Sequence, residues 1–296
     1  MKEVATKGRS GLDDYAAPAS LEEAAKLAAD SPVTILAGGT DLMPQSEWGK
    51  LKLAGRLINL RRVPEIKGIE VSDETIRLGS LVTVTEILES EELERCASVL
   101  VETADQFASE QVRNMSSIGG NVCNASPAGD MIIPLLLLDA QAELARWSGT
   151  KIVSRRVPLD KFFAGPGCTI RQADEILTAL HFPMPPDSFV GGFRKFGPRP
   201  ALEIAMAAVG IAGERNGRSL TNARVAFGAV APTPMRGSAT ESAIEGKQLD
   251  EATIATAAEI AFNEISPITD VRASEWYRRH LVRVLTEELL SHAVDH

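Results

Sequence analysis

The sequence predicts an α+β protein, and three observations carry that reading. Helical and strand patterns follow one another in blocks, without the regular alternation that a parallel α/β sheet requires. Three prolines within four positions, in Phe182-Pro-Met-Pro-Pro-Asp187, divide the chain where neither a helix nor a central strand can continue. The 296 residues, 44% hydrophobic and 24% charged, are enough for a sizeable core and two or three structural units.

The elements are expected in this order. After a polar arm, Ser20-Leu-Glu-Glu23 has the form of a capping box and opens a helix to about Asp30, with Leu21, Ala24, Ala25, Leu27 and Ala28 on one face. Val33–Ala37 is a short apolar run that reads as a buried strand and breaks at Gly38-Gly39. Arg56–Leu60 reads as another strand, and Ile66–Val71 pairs with Thr75–Gly79 as a hairpin. Thr83 and Glu86 form a second capping box, and a longer helix is expected over Ala97–Ser109. A Gly/Asn/Ser-rich loop should occupy Asn114–Gly129, with a helix beginning near Asp130. Gln141–Arg146 and Lys151–Val157 alternate as antiparallel strands. Beyond the prolines, Ala201–Gly213 and Ser219–Val230 flank a turn at Asn216-Gly217, and two helices, about Asp250–Ile265 and Ser274–Ala293, close the chain.

Several functions are disfavoured at once. A formal net charge of −9 offers no basic excess for phosphates, so nucleic acid is not an expected partner. The longest apolar run, Met131–Leu138, is interrupted by Pro134 and falls far short of the roughly 20 residues of a membrane span. Met1–Asp14 has no hydrophobic signal region, so a cytoplasmic location is expected. Cys96, Cys123 and Cys168 lie far apart and read as buried or partly buried free thiols. His181, His280, His292 and His296 lack ligand-like spacing, and no metal is expected on this chain.

Two glycine-rich segments carry the chemistry. The first, Ile35-Leu36-Ala37-Gly38-Gly39-Thr40-Asp41-Leu42, ends a strand in paired glycines, where backbone N–H groups can meet an anion without a Cβ in the way. It is neither GxGxxG nor a Walker loop, and no Rossmann-type helix with a downstream acid follows. The second, Ser116–Asp130, reads SSIGGNVCNASPAGD and can wrap a pyrophosphate with backbone donors while Asp130 accepts from a ribose hydroxyl. Each is also readable singly, as a plain turn and as a polar loop with Asp130 capping the next helix. Two such segments in one chain favour a shared anionic ligand.

With these residues in view, the chain resembles the FAD-binding module of the molybdenum hydroxylases, the family of xanthine dehydrogenase, the medium subunit of carbon monoxide dehydrogenase and the nicotinate hydroxylases. The similarity extends over Leu12–Ala28, Arg56–Ser80, Leu159–Gly165, Phe193–Ala205 and Ser274–Leu290, nearly the whole chain. It implies a PCMH/VAO-type two-part FAD-binding domain over 1–186, with subdomains of about 1–62 and 63–186. A smaller C-terminal α+β domain of the carbon monoxide dehydrogenase flavoprotein type would follow over 187–296.

By that resemblance Ile35–Leu42 and Ser117-Ile118-Gly119-Gly120-Asn121 hold the pyrophosphate and flavin side, and Asp130 binds ribose. Phe107 packs on the dinucleotide, Leu177 contacts the isoalloxazine, and Lys195 stands beside it as a cation that stabilises a reduced, anionic flavin. Arg199 and Glu203 read as a surface ion pair. The cysteine-rich loop with which some relatives bind an extra iron–sulfur cluster is missing here. So are the [2Fe-2S] and molybdenum domains, and the resemblance therefore implies a small [2Fe-2S] subunit and a large molybdopterin subunit as partners, with a dimer of heterotrimers as one arrangement.

The function implied is electron transfer: FAD on this chain accepts electrons from a partner's [2Fe-2S] clusters and passes them to an external acceptor. The complex would act on an N-heterocycle, purine or aldehyde. No residue of this chain is expected to act as acid or base on that substrate. The alternatives are a self-contained VAO-type flavin oxidase, for which Val190–His296 is a short substrate domain and neither loop offers a histidine for covalent attachment, and a scaffold that has lost its flavin.

Overall fold

The computed structural model describes residues 12–30, 32–53, 55–199 and 203–295. The first part contains β1 (Leu12–Ala16), α1 (Leu21–Asp30), β2 (Val33–Leu36), α2 (Leu42–Glu47) and β3 (Gly55–Asn59), with the strands in a parallel sheet of order β1-β3-β2. Ser20 Oγ accepts from the Glu23 N–H at 3.2 Å, while the Glu23 carboxylate accepts from the Ala19 N–H, one residue before the N-cap. The apolar face of α1 buries Ala24, Ala25 and Ala28. β2 is an edge strand and is half-buried throughout, where its apolar sequence suggested full burial. Leu12–Ala16, part of the expected polar arm, is a strand because β3 supplies it with a parallel partner; residues 1–11 lie outside the described residues.

The second part contains β4 (Ile69–Val71), β5 (Thr75–Gly79), α3 (Val84–Leu88), α4 (Glu91–Cys96), α5 (Ser98–Asp105), α6 (Glu110–Arg113), α7 (Ile118–Asn124) and α8 (Ile132–Leu137). It continues with β6 (Gln141–Trp147), β7 (Ile152–Pro158), β8 (Phe163–Gly165), β9 (Cys168–Thr169) and β10 (Ile176–Pro183). β8 and β9 pair with each other, and the other strands form an antiparallel sheet of order β4-β5-β10-β6-β7. The capping box at Thr83 and Glu86 is present on α3.

The helix expected over Ala97–Ser109 spans only α5. The chain turns at Ala108, whose φ is +42°, and Arg113 Nη1 takes up the Phe107 carbonyl at 2.9 Å. The loop expected over Asn114–Gly129 contains a helix, α7, which Ser117 caps by accepting from the Gly120 N–H at 3.1 Å. Sequence propensity disfavoured a helix with two glycines, but a side-chain cap and packing of the first turn override it.

The third part contains β11 (Phe189–Phe196), β12 (Ala207–Asn216), β13 (Ser219–Gly228), β14 (Met235–Arg236), α9 (Ser238–Ile244), α10 (Glu251–Glu264) and α11 (Glu275–Asp295). The strands are antiparallel in the order β11-β12-β13-β14. Asn216 pairs with Ser219, so the two-residue turn is Gly217-Arg218, one position later than the sequence suggested. The expected start near Ala201 moves to Ala207, with residues 200–202 outside the described set.

Alternation along these strands joins two cores. Val209, Ile211, Val225 and Phe227 face α9, α10 and α11, while Phe193, Ala208, Ala212 and Ala226 belong to the core that includes α8 and the five-stranded sheet. Every residue of α8 is buried, as befits a helix apolar on all sides and enclosed between layers. A Cβ at Gly210 would stand 2.6 Å from Ile133 Cγ2, so the bare backbone of β12 is what lets α8 approach. Among the described residues no helix is long and apolar enough to cross a membrane. Cys96 and Cys123 are partly buried, but Cys168 is exposed because it sits on the two-stranded β8–β9 ribbon.

Candidate functional site

The two glycine-rich segments meet, although about 80 residues separate them in sequence. Beyond the end of β2, Gly38 lies so close to Met115 that a Cβ would strike the Met115 carbonyl oxygen. Thr40 Oγ1 and Ser116 Oγ are 3.1 Å apart. Asn124 at the end of α7 ties the same two segments again, donating from Nδ2 to Asp41 Oδ2 at 3.1 Å and accepting from Gln45 Nε2 at 3.2 Å. Ile35 through Thr40 and Leu42 are half-buried and Asp41 is exposed, so the first segment forms a rim over the buried Ser116–Gly119 stretch.

The two segments use their backbone donors differently. In the second, Ile118 N–H donates to Val82 O at 2.8 Å, Gly119 N–H to Ser80 O at 2.9 Å, and Asn121 N–H to Ser117 O at 3.0 Å. With Gly120 N–H on Ser117 Oγ, every donor from 118 to 121 is already used. Further along the same segment, the N–H groups of Ser126 and Asp130 have no partner among the described residues. In the first segment, the N–H groups of Gly38, Gly39, Thr40 and Asp41 have no partner among the described residues. Gly119 has a different reason to be glycine: its Cβ would lie 2.6 Å from both Ser80 Cβ and Ser80 O, so it permits α7 to pack on that turn. A Cβ at Gly120 would meet only Ser117 Oγ at 2.9 Å.

Acceptors are left over in the middle of α7 and just before α8. Asn121 Oδ1 and Asp130 Oδ1 are buried without a hydrogen-bond partner. Asn121 Oδ1 stands 3.4 Å from where a Cβ would be on Gly129, the residue before Asp130. Buried polar atoms are seldom left unpaired, and two such acceptors fit a ligand that brings hydroxyl donors. Asp130 does not cap α8, whose N-cap is Met131 without a side-chain bond. Its Oδ2 instead accepts from Lys195 Nζ at 2.6 Å, with both side chains 9% exposed. Burial pushes the Asp130 carboxyl up from the usual carboxylate range, and the Lys195 ammonium opposes that rise.

Lys195 reaches Asp130 because β11 is clamped. The Glu102 carboxylate of α5 accepts from the Phe193 N–H at 2.9 Å on the open edge of β11 and from Arg194, which also reaches Glu288 of α11 at 3.0 Å. Residues 193 and 195 share one face of the strand, Phe193 entering the core around α8 and Lys195 the start of that helix.

Of the other expected site residues, Leu177 is 4% exposed within the core and opposite Leu144 on β6, and Phe107 packs at the margin of the same core. Arg199 and Glu203 do form an ion pair, at 2.9 Å. Ser80, Ser116, Asn124 and Gln45 were not among the expected site residues. Ser116 and Asn124 lie inside the motif already quoted, whereas Ser80 and Gln45 carry no local signal.

This arrangement pairs a two-part α+β unit with a C-terminal sheet and helices, and family comparison matches both halves. Residues 8–185 match the FAD binding domain in molybdopterin dehydrogenase, and residues 193–293 the CO dehydrogenase flavoprotein C-terminal domain. The xanthine dehydrogenase FAD-binding subunit of Escherichia coli O157:H7 is 31% identical over 95% of this chain and 95% of its own length. The nicotinate dehydrogenase FAD-subunit of Eubacterium barkeri is 29% identical, with 95% and 96% covered. Among solved structures, the carbon monoxide dehydrogenase of Hydrogenophaga pseudoflava superposes with a TM-score of 0.89 at 26% identity, over 95% of this chain and 96% of that one. Quinoline 2-oxidoreductase from Pseudomonas putida 86 gives 0.88 at 28%, over 95% and 96%. The chain belongs to the FAD-binding subunits of the molybdopterin-dependent dehydrogenases, an oxidoreductase family.

Proposed function

We propose that this chain is the electron-transfer subunit of a multi-subunit molybdenum hydroxylase. In this reading it takes electrons from [2Fe-2S] clusters on a small partner and releases them to an external acceptor, while a large partner carries the molybdopterin cofactor. The FAD supplies the redox chemistry when bound; the residues of this chain hold and orient it. The single observation that carries the reading is the complementary chemistry of the two ends of the site. Unpaired N–H donors of Gly38–Asp41 suit the pyrophosphate. The unpaired acceptors on Asn121 and Asp130 suit sugar or ribityl hydroxyls.

Ile35–Leu42, Ser117–Asn121 and Asp130 would line the site, with Phe107 and Leu177 supporting it from the core and Lys195 through its bond to Asp130. We place the FAD-binding domain at 1–186, in subdomains of about 1–62 and 63–186, and the C-terminal domain at 187–296. The substrate class of the complex is taken as an N-heterocycle, purine or aldehyde, the assembly as a dimer of heterotrimers, and its place as the cytoplasm. The relatives named as medium chains or FAD subunits, of carbon monoxide, xanthine and nicotinate dehydrogenases, support this reading.

The test is direct. The full chain, purified with whatever co-purifies, should show a flavin absorbance spectrum with one FAD per chain, and mass spectrometry should find an iron–sulfur chain and a large molybdopterin chain. A colourless chain that takes up no added FAD would overturn the reading.

A further inference from the structure

Lys195 and Asp130 are two ends of one contact, and this changes what each does. Asp130 has one oxygen engaged by Lys195 at 2.6 Å and the other buried and unpaired. Lys195 stands on a strand held at its edge by Glu102, which fixes where its side chain starts. A second orphan, Asn121 Oδ1, 3.4 Å from where a Gly129 Cβ would be, is also an acceptor. Buried acceptors repel phosphate oxygens and demand hydroxyl donors. A carboxylate can serve there only if its charge is compensated, because an unpaired buried carboxylate protonates or moves to water.

We propose that Lys195 is a positioning residue that acts through Asp130: its ammonium occupies Oδ2 and leaves Oδ1 to accept a hydroxyl of the dinucleotide, so the pair binds as one unit and Lys195 does not itself touch the flavin ring. This rests on the reading of the site as an FAD site, and it departs from the separate roles that family resemblance gave the two residues. Its consequence is non-additivity. Once Asp130 no longer needs a counter-charge, Lys195 has nothing left to do for the cofactor.

The experiment is a double-mutant cycle on the full chain, made free of flavin and titrated with FAD, with the flavin reduction potential measured on each reloaded form. Asp130→Asn and Lys195→Met should each weaken FAD binding by about tenfold or more, as loss of a charge-assisted contact does. The double variant D130N/K195M, which replaces the ion pair by neutral side chains of similar size and so guards against misfolding of the single variants, should bind within about threefold of D130N. Its potential should equal that of D130N. If the two losses multiply, or if Lys195→Met shifts the potential equally with and without Asp130, Lys195 acts on the flavin directly and the proposal fails. If all three variants bind as the wild type does, the pair lies outside the site and the proposal fails, while the site itself stands on the wild-type titration. A wild-type chain that binds no FAD would instead remove the underlying reading.

Discussion

Lys195 on β11 and Asp130 at the start of α8 form a buried ion pair at 2.6 Å that joins the C-terminal sheet to the second glycine-rich segment. Removing one partner leaves a charge in a dry place, which typically costs about 3–5 kcal/mol. Asp130→Asn or Lys195→Met alone should therefore lower stability by roughly that amount, and the double variant should recover much of it. Urea unfolding followed by far-UV circular dichroism would show this as three ordered midpoints. Midpoints equal to that of wild type in all three variants would mean the pair contributes nothing to the fold.

The glycines of the site should rank by what a Cβ would meet. Gly38→Ala and Gly119→Ala force backbone against Met115 and against Ser80, so each should lose roughly 1–3 kcal/mol and much of the FAD content. Gly120→Ala meets only the Ser117 hydroxyl and gains helix propensity, so it should stay within about 1 kcal/mol of wild type. Unfolding midpoints and the ratio of flavin to protein absorbance test the order; a Gly120→Ala as damaging as Gly119→Ala would contradict the packing described for α7.

Gly210 is where α8 and β12 touch. Gly210→Val would drive two methyl groups towards Ile133 and Leu137 and push α8 off the sheet. A loss of about 1–3 kcal/mol is expected. Flavin content should fall with it, because Asp130 moves with α8. Retention of full FAD content in a destabilised Gly210→Val chain would show that the position of α8 does not set the site.

Asp270 gives a pH dependence whose sign is fixed. Burial would raise its carboxyl, but the Arg272 and Ala273 N–H groups and Arg278 bring it down to about 2. The folded value is thus below the unfolded one, near 4. The stabilisation is complete above the unfolded value and is lost as pH falls from about 4 towards about 2. Asp270→Asn should lower the thermal midpoint at pH 7, and its stability should change less than that of wild type between pH 4.5 and about 2.5. Parallel curves for the two would show that Asp270 titrates normally.

Local sequence determined much of this protein. The caps at Ser20 and Thr83, the β6–β7 pair and the two terminal helices are written in residues three or four apart or in simple alternation, and they fold where those patterns lie. The glycine-rich segments were legible for the same reason, because a chain that must bare its backbone has to say so residue by residue.

What the tertiary structure alone decided is the division of labour between the segments. β10 looks in sequence like any apolar run, yet it becomes the central strand because β5 and β6 find it from both sides. Ile118–Asn124 becomes a helix because Ser80 and Val82 accept its first N–H groups, while those of Gly38–Asp41 stay without a partner among the described residues. Asp130 finds Lys195 across 65 residues because Glu102 holds β11 and Gly210 admits α8. Sequence patterns report what a residue does to its neighbours within a turn or two. Which donor is used, which acceptor is left open and which charge meets which depend on elements brought together from distant parts of the chain.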